Sequence, residues 1–435
     1  MSGKYISWGR YPVKDQKGVE FGWRHDSLPV DRNFLPQGSA RSYGDCCMNA
    51  QGLVVSTTPL RNLISFDPDT GVLRCEAGVM LKDILDVFEP RGWFLPVTPG
   101  TKYATVGGAI ANDVHGKNHH VAGTFGCHVL AFELLRSDGS RHLCTPADNE
   151  GLFAATIGGL GLTGVILWAD ILLKRVENSA IRSESFKYRT LREFFSLSEE
   201  SESTHEYTMA WVDCLAGGAS TGRGHFIRGN HASAVDARLK HKPLPLVIPV
   251  DPPVSLVNPL SLRLFNSLYY HRQREYKVTS LTPYDPFFYP LDGIRQWNRM
   301  YGPKGFLQYQ FVIPMENSEE GIAEVLRRIA ASRAGSFLAV LKVFGNRPSP
   351  GLMSFPRPGT TLALDFPFQG EKTHALFRSF DDVVRQAGGA IYPAKDAHMT
   401  EDDFKRYYPR WQELLQWKDP NIQSSFWQRV SGSHA

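Results

Sequence analysis

The sequence predicts an α+β protein of two domains, a strand-rich first domain followed by one built on an antiparallel sheet. The chain has 435 residues, which is more than one hydrophobic core usually serves. Its 42% hydrophobic and 21% charged residues are typical of a globular protein. Near residue 176 the short, Gly-punctuated apolar runs give way to longer amphipathic segments. We therefore predict domains at 1–176 and 177–389, and a C-terminal segment, 390–435, that returns to the first domain.

Hydrophobic periodicity predicts the main elements of both domains. Short apolar runs such as GLVVS and GVLRCEAGV indicate strands in the first domain. In the second, YTMAWVDCL, GFLQYQFVIP, SFLAVLKVFG and TTLALDFP alternate side chains as half-buried strands do, which predicts an antiparallel sheet with helices on one face. Helical spacing predicts helices at 80–90, 149–157, 190–199, 318–334 and 373–388.

Charge and cysteine usage exclude several classes of function. The formal net charge of +4 comes from 48 basic and 44 acidic residues without a long basic run, so no nucleic-acid partner is expected. No two of the six cysteines have CxxC spacing, which disfavours a zinc site and indicates reduced thiols. No stretch approaches the roughly 18 consecutive apolar residues of a spanning helix. A cytoplasmic protein is therefore expected.

One apolar segment stands out, PLPLVIPVDPPVSLVNPLSLRL at 243–264. Its prolines forbid a continuous helix, because each lacks the N–H that a helix interior needs. Two interpretations are open, a mobile lid or a peripheral membrane patch.

Three Gly-rich loops lie in the first domain, at 38–45, 99–112 and 157–164. Glycine permits positive φ and lets a ligand approach the backbone N–H groups, so such loops are suited to a pyrophosphate. None matches the Walker pattern, and none has the Rossmann pattern with its acidic residue. Nicotinamide binding is therefore disfavoured.

These loops and several later motifs resemble the vanillyl-alcohol-oxidase/p-cresol-methylhydroxylase family of FAD enzymes. The most specific motif is PVTPGTKYATVGGAIANDVHGKNHH at 96–120. The resemblance is strongest to the branch of the family that oxidises polyprenylphosphoryl riboses. The resemblance covers nearly the whole chain through ARSYGD at 40–45, GLTG at 161–164, AW at 210–211, YGPKGFLQYQFVIP at 301–314, MSFP at 353–356 and YPAKD at 392–396.

The resemblance implies FAD-dependent oxidation of the 2′-hydroxyl of a polyprenylphosphoryl-β-D-ribose, or a related sugar, to a 2′-keto intermediate. This is the first half of an epimerisation that supplies an arabinose donor for cell-envelope polysaccharide. A separate NAD(P)H-dependent short-chain reductase would complete it, and peripheral contact at the inner face of the membrane is expected. Two alternatives stay open: an aldonolactone or alditol oxidase of the same superfamily, and a flavin-containing binding protein without turnover.

The resemblance also implies how FAD is held. Backbone N–H groups of the loop at 38–45 and the turn at 105–108 would bind its pyrophosphate. Arg41 stands where relatives with covalent flavin often carry a histidine, so non-covalent FAD is expected. The implied cofactor residues are Gly38, Ser39, Ala40, Arg41, Ser42, Tyr43, Gly44, Asp45, Gly100, Thr105, Val106, Gly107, Gly108, Asn112, His115, Ile166 and Tyr392.

Three side chains are candidates for the chemistry. The resemblance implies that Lys395 places substrate and stabilises the anionic reduced flavin, and that His115 packs beside the flavin ring. Lys342 lies in an apolar strand, where an unpaired ammonium is costly, so an anionic partner is expected. Substrate phosphate or charge near the flavin would fit. A salt bridge to Asp365 or a lysine at the sheet edge is the structural alternative.

Further residues are candidates for substrate binding. Gln308 and Gln310 alternate along one strand, so both face one side and can hydrogen-bond sugar hydroxyls, while Tyr309 faces the core. The resemblance adds Lys117 near the sugar phosphate, and Tyr43 and Trp211 in the pocket wall.

Three positions depart from the related enzymes. A pocket cysteine and a nearby asparagine of those enzymes fall at Ala363 and Thr361, and a pocket tyrosine falls at Phe288. These changes remove a thiol and alter polarity without touching the candidate catalytic lysine. The flavin chemistry is expected to survive them, whereas the sugar and the lipid carrier are open.

The motif HGKNHH at 115–120 carries three histidines but does not predict a metal site. Its glycine makes a turn, so no rigid helical platform is expected for His119 and His120, and no cysteine lies nearby to complete a ligand set. Structural hydrogen bonding is the interpretation we favour for both.

Overall fold

The computed structural model describes residues 5–12, 15–29, 31–239 and 246–432. Its strands, numbered in chain order, are β1 Lys17–Glu20, β2 Phe34–Gln37, β3 Leu53–Ser56, β4 Leu63–Phe66, β5 Val72–Glu76, β6 Trp93–Phe94, β7 Val129–Leu135, β8 Arg141–Cys144, β9 Val165–Leu172, β10 Lys174–Arg175, β11 Ile181–Tyr188, β12 Tyr207–Val212, β13 Gly224–His231, β14 Leu246–Val247, β15 Lys277–Thr282, β16 Ile294–Arg295, β17 Phe306–Ile313, β18 Ala339–Phe344, β19 Gly359–Pro367 and β20 Ala390–Ile391.

Helices occur at each of the five predicted places, at 81–88, 150–156, 191–201, 315–332 and 371–386. None of the helices in the described ranges combines the length and apolar content needed to cross a bilayer. The α-helices are α1 Leu81–Phe88, α2 Val106–Ala111, α3 His119–Ala122, α4 Glu150–Thr156, α5 Leu191–Ser201, α6 Pro259–His271, α7 Tyr284–Phe288, α8 Met315–Ser332, α9 Glu371–Gln386, α10 Glu401–Tyr407, α11 Trp411–Leu415 and α12 Ser425–Val430.

The earlier part of the chain contains both a parallel and an antiparallel sheet, and the later part contains one large antiparallel sheet. In the first half, β1, β3 and β2 form a parallel sheet, and β4, β5, β9, β7 and β8 form an antiparallel one. The second half contains an eight-stranded antiparallel sheet of order β15-β11-β13-β12-β18-β19-β17-β20. The predicted α+β class is therefore confirmed, as is the antiparallel sheet of the later half.

The large sheet has one helical face and one face turned to the first half of the chain. Helices α5, α8 and α9 pack on it, and the Tyr309 hydroxyl donates to Asp381 Oδ1 of α9 at 2.8 Å. Tyr309 thus faces the core, as predicted. Because side chains alternate along a strand, its neighbours Gln308 and Gln310 face the other way.

The apolar segment at 243–264 is only partly described, since residues 243–245 lie outside the described ranges. From residue 246 the chain pairs β14 with β16, and α6 then begins at Pro259. Proline fits the first turn of a helix, where its missing N–H is not needed. No continuous helix runs through the described part of this segment, as the prolines predicted.

The C-terminal segment contacts strand β2 and the Gly-rich loop that follows it at 38–45, which we call the first loop. Phe34 N donates to Asn421 O at 2.9 Å, and Gln423 N donates to Phe34 O at 3.0 Å. Arg429 of α12 binds both carboxylate oxygens of Asp45, at 2.8 and 3.0 Å. The boundaries predicted at 176 and 389 stay a prediction.

Arg429 also joins the first loop to the turn that carries Lys395. Its Nη2 lies 2.8 Å from Asp396 Oδ2 as well as binding Asp45. Both carboxylates are buried, and Asp396 makes a second ion pair with His398, at 2.9 Å. These charges lower the pKa of Asp396, chiefly through Arg429, against the effect of burial.

Replacing Arg429 by Met is expected to lower the free energy of unfolding by about 3–5 kcal/mol, because two buried carboxylates lose their shared cation. Chemical denaturation measures this. Arg410→Met is the control, since Arg410 and its partner Glu413 are 60% and 50% exposed and the loss there should stay below about 1 kcal/mol. Equal losses for the two variants would contradict the assignment.

Candidate active site

A cavity of about 1070 Å³ lies between the first loop, the start of α2 and the large sheet. Pockets for drug-sized ligands usually span about 300–1,000 Å³. The space therefore suits a ligand as large as a dinucleotide with part of a second molecule. Of the predicted site residues, its wall contains Gly38, Ser39, Ala40, Arg41, Ser42, Tyr43, Gly100, Thr105, Gly107, Gly108, Asn112, His115, Lys117, Ile166, Phe288, Gln308, Gln310, Lys342, Ala363, Tyr392 and Lys395.

The loop after β2 offers backbone donors to this cavity. Among the described residues, none of the N–H groups at 39–42 donates to a protein atom. Ala40 adopts a left-handed φ of 51°, and a Cβ on Gly38 would collide with Thr105 Oγ1. Thr105 itself caps α2 by accepting from Gly108 N at 3.2 Å. The loop and the helix start are thus in close contact, and free N–H groups of this kind suit phosphate oxygens.

Two polar atoms in the same wall also lack partners. Arg41 Nε and Asn112 Oδ1 are buried with no hydrogen bond to the described chain. Arg41 is held by stacking, with its guanidinium carbon 4.1 Å from the centre of the Trp8 ring. A Cβ at Gly100 would meet nothing within 4 Å, so a ligand can approach the backbone there. Orphaned polar atoms, free amides and open glycines fit FAD.

Three lysines converge on the other end of the cavity. Burial lowers the pKa of Lys117 to about 8. Burial, with repulsion from Lys117 and Lys395, lowers the pKa of Lys342 to about 7. The pKa of Lys395 also falls to about 8 on burial, although Asp365 opposes the fall. An anion bound beside one of these lysines would favour the charged form of that lysine.

Lys342 contacts His115 rather than a carboxylate. Its Nζ lies 3.1 Å from His115 Nδ1 and 3.2 Å from Gly116 O. Burial, with the charges of Lys342 and His119, lowers the pKa of His115 well below its usual value. Gln310 Nε2 lies 3.0 Å from His115 Nε2. The imidazole is therefore neutral and lies between Lys342 and Gln310, and a neutral ring accepts a hydrogen bond at only one of its two nitrogens. No ion pair joins Lys342 to Asp365 in the part of the chain described.

Lys395 lies over an aromatic ring near a buried acid. Its Nζ is 3.7 Å from the centre of the Tyr43 ring. Asp365 accepts from Gln308 Nε2 at 2.6 Å, and burial raises the pKa of Asp365 to about 7. Sequence reasoning considered Asp365 only as a partner for Lys342. The sequence signal that could have placed Asp365 at the cavity is the period-two pattern of the strand, which puts it on the same face as Ala363.

Two predicted pocket residues lie behind the cavity wall. Trp211 is on the cavity face of the sheet, but Tyr269 of α6 covers it at 4.6 Å between ring centres. Its Nε1 donates to Phe337 O at 3.0 Å. Thr361 is 1% exposed and accepts from Gln310 Nε2 at 3.3 Å. Thr361 therefore contacts the cavity through Gln310, whereas Tyr269 and Phe337, which contact Trp211, lie outside the cavity wall.

Three predicted cofactor residues also lie outside the cavity wall. Asp45 is paired with Arg429, and Val106 is fully buried in the core. At Gly44 a Cβ would collide with Asp396 O, so this glycine permits contact with the turn that carries Lys395. Their packing positions the loops that do reach the cavity.

The histidine motif differs from its prediction in one respect. His119 and His120 lie on the short helix α3, not on an irregular turn. His120 Nε2 is 2.9 Å from His205 O. Neither ring nitrogen of His119 has a hydrogen-bond partner among the described residues, and its ring packs 4.5 Å from that of Phe344. The expected hydrogen bonding holds for His120 and is wrong for His119.

Residues missed at the sequence level complete the wall. Asp292 accepts from Thr101 Oγ1 at 2.8 Å and from Lys102 N at 2.9 Å. These bonds hold the segment around residue 292 against the Gly-rich loop at 99–112. Trp8 and Trp297 also line the cavity. No local pattern marks these residues, because each reaches the site through tertiary folding.

Comparisons with known proteins agree with this geometry. Residues 30–145 match the family described as FAD binding domain. The chain is 38% identical over 397 residues to decaprenylphosphoryl-β-D-ribose oxidase of Mycolicibacterium smegmatis, covering 88% of this chain and 85% of that protein. It is 35% identical to an uncharacterized protein of Streptomyces coelicolor, covering 76% and 92%. D-arabinono-1,4-lactone oxidase of Yarrowia lipolytica is 28% identical over 33% of this chain and 27% of that protein.

Fold, cavity and matched domain together define an FAD-dependent oxidoreductase of the vanillyl-alcohol-oxidase/p-cresol-methylhydroxylase type. Within this class, the 38% identity to decaprenylphosphoryl-β-D-ribose oxidase over most of both chains shows the family. The chain belongs to the family that contains decaprenylphosphoryl-β-D-ribose oxidase.

Replacing Gly38 by Val is expected to reduce bound FAD to about a tenth or less, because the side chain would collide with Thr105 and separate the loop from α2. Flavin content per protein, measured by absorbance, tests this. Gly217→Ala is the control, since a Cβ there meets nothing within 4 Å and FAD should be retained. Full flavin occupancy in the Gly38 variant would refute the role of this contact.

Proposed function

We propose that this protein oxidises the 2′-hydroxyl of a polyprenylphosphoryl-β-D-ribose to the 2′-keto compound. The observation that carries the proposal is the likeness to decaprenylphosphoryl-β-D-ribose oxidase over 85% of that enzyme. The three lysines and two glutamines of the cavity wall support it, because a phosphorylated sugar needs cations and hydrogen-bonding amides. Oxidation at this carbon would begin an epimerisation to an arabinose donor.

The chain's own residues supply proton transfer and positive charge. When bound, FAD supplies the acceptor for the hydride that leaves the carbinol carbon. With a pKa of about 8, Lys395 is partly neutral near neutral pH and can accept the hydroxyl proton at Nζ. Once protonated, it leaves a positive charge in the wall of the cavity. The Tyr43 ring at 3.7 Å stabilises that charge.

The remaining groups orient the substrate. Gln308 and Gln310 present amides from neighbouring positions of one sheet face and bind sugar hydroxyls. Lys117 and Lys342 are the cations for the phosphate, and His115, held neutral between Lys342 and Gln310, sets their position. Replacement of a thiol by Ala363 changes the wall beside this sugar without removing a charged group.

The alternative of an aldonolactone oxidase has weaker support. The lactone oxidase match covers 33% of this chain, whereas the phosphoryl-ribose oxidase match covers 88%. A lactone also lacks the phosphate that Lys117 and Lys342 would bind. A binding protein without turnover would not need a lysine whose pKa falls to about 8 beside the sugar site.

Anaerobic mixing with detergent-solubilised polyprenylphosphoryl ribose is expected to bleach the flavin band and yield the 2′-keto product by mass spectrometry. Bleaching by an aldonolactone, with none by the lipid-linked ribose, would favour the alternative. Bleaching by neither would favour a protein without turnover. A NAD(P)H-dependent short-chain reductase added with NAD(P)H should convert the product to the arabinose epimer.

Lys395→Met is expected to slow flavin reduction at least about 100-fold while FAD stays bound, because proton transfer of this kind typically contributes 10²–10⁴-fold. Stopped-flow absorbance measures the rate, and the flavin spectrum reports occupancy. Lys372→Met is the control, since Lys372 is exposed at the start of α9. An unchanged rate in the Lys395 variant would sink this role.

We further propose that FAD is bound without a covalent link. Arg41 stacks on Trp8 at the position expected for a linking histidine, and an arginine does not form that bond. Acid precipitation is therefore expected to leave a colourless pellet and free FAD in the supernatant. A yellow pellet would contradict this.

A further inference from the structure

Helix α6 turns an apolar stripe to solvent. Leu260, Leu264 and Leu268 recur every four residues and are 78%, 60% and 63% exposed. The opposite side of the helix buries Leu262 and Tyr270. A surface helix normally places its leucines inward only, so this helix has apolar side chains on both sides.

The chain just before α6 extends this stripe. Val250 and Val254 are each 69% exposed, and Leu256 is 49% exposed. We define the exposed patch as Leu246, Val247, Val250, Val254, Leu256, Leu260, Leu264, Phe265 and Leu268. Soluble proteins rarely expose so many large apolar side chains in one segment unless the surface meets another apolar phase.

The charged side chains within the segment of the exposed patch are mainly positive. Between residues 246 and 274 the sequence holds three arginines and a single carboxylate, Asp251. That carboxylate is bound by Arg10 at 2.6 and 3.0 Å, whereas Arg263 and Arg274 are exposed. A second copy of the chain would meet this surface with the same positive charge. An anionic lipid headgroup layer complements it.

The exposed patch is continuous with the wall of the cavity. Leu262, on the inner side of α6, belongs to one packed cluster with Trp297 and Tyr301, and Trp297 lines the cavity. Strand β14, which holds two patch residues, pairs with Ile294–Arg295, which also line it. The segment therefore has a solvent-facing apolar side and an inner side that packs on residues of the cavity wall.

We propose that residues 246–274 dock on the surface of an anionic lipid bilayer, with the leucines of α6 in the apolar boundary and the arginines among the headgroups. This lets a lipid-linked sugar enter the cavity while its chain stays in the bilayer. The last point rests on the proposed function, whereas docking does not. Interfacial helices bind in this way without spanning the membrane.

Co-sedimentation with vesicles tests the docking. The FAD-loaded protein is expected to pellet with vesicles of phosphatidylcholine plus phosphatidylglycerol, and less with phosphatidylcholine alone or in high salt. Leu260→Ser/Leu264→Ser/Leu268→Ser should weaken binding at least about tenfold, because three leucines no longer enter the apolar boundary. Arg263→Gln/Arg274→Gln should weaken binding to anionic vesicles about tenfold or more.

The matched control is Leu63→Ser/Leu130→Ser/Leu143→Ser, whose leucines are 37%, 40% and 50% exposed elsewhere on the surface and whose vesicle binding should equal wild type. All variants should keep their FAD and their activity on substrate in detergent. Wild-type protein that does not pellet, or a triple α6 variant that pellets equally, overturns the proposal. A wild-type dimer that becomes a monomer in the α6 variant would assign the surface to a second copy instead.

The two proposals fail separately. Protein that binds vesicles but is not reduced by polyprenylphosphoryl ribose keeps the docking surface and loses the substrate. Protein that is reduced in detergent but never binds vesicles keeps the substrate and loses the docking surface.

Discussion

The shared ion pairs of Arg429 fix the two walls of the cavity relative to each other. One guanidinium binds Asp45, at the end of the Gly-rich loop, and Asp396, next to Lys395. Gly44 lets the same two segments touch without an intervening side chain. The position of the lysine relative to the free N–H groups at 39–42 therefore depends on a residue near the end of the chain. This contact therefore links the loop that would bind the cofactor to the turn that carries Lys395.

A second constraint is the burial of cations without matching anions. Lys117, Lys342 and Lys395 all face the cavity, and the buried carboxyl beside Lys395 has its own pKa raised to about 7. Proteins seldom leave buried ammonium groups without a partner, because desolvation is costly. The packing of the surrounding sheet and helices offsets the desolvation cost of these lysines. On the proposed function, the substrate phosphate and the reduced cofactor would supply the missing negative charge.

Much of the fold followed from local patterns. The four strands predicted in the second domain appear as β12, β17, β18 and β19, because period-two alternation survives in half-buried strands. The same alternation correctly put Gln308 and Gln310 on one face. The cofactor loops followed from motif resemblance rather than from periodicity. What local patterns could not give was tertiary: the protein contact of Lys342 is His115, distant in sequence, and His119 is packed in a site without a hydrogen bond among the described residues. Likewise, the pattern of α6 shows leucines on two sides but not which side the rest of the chain covers.

Two segments that are far apart in sequence hold the same loop. Trp8 N donates to Ser42 O at 2.8 Å and its ring stacks on Arg41, while Arg429 holds Asp45 from the other end of the chain. The Arg429–Asp45 contact spans 384 residues of sequence. A first domain without the segment at 390–435 would therefore lack one of the two clamps on its cofactor loop.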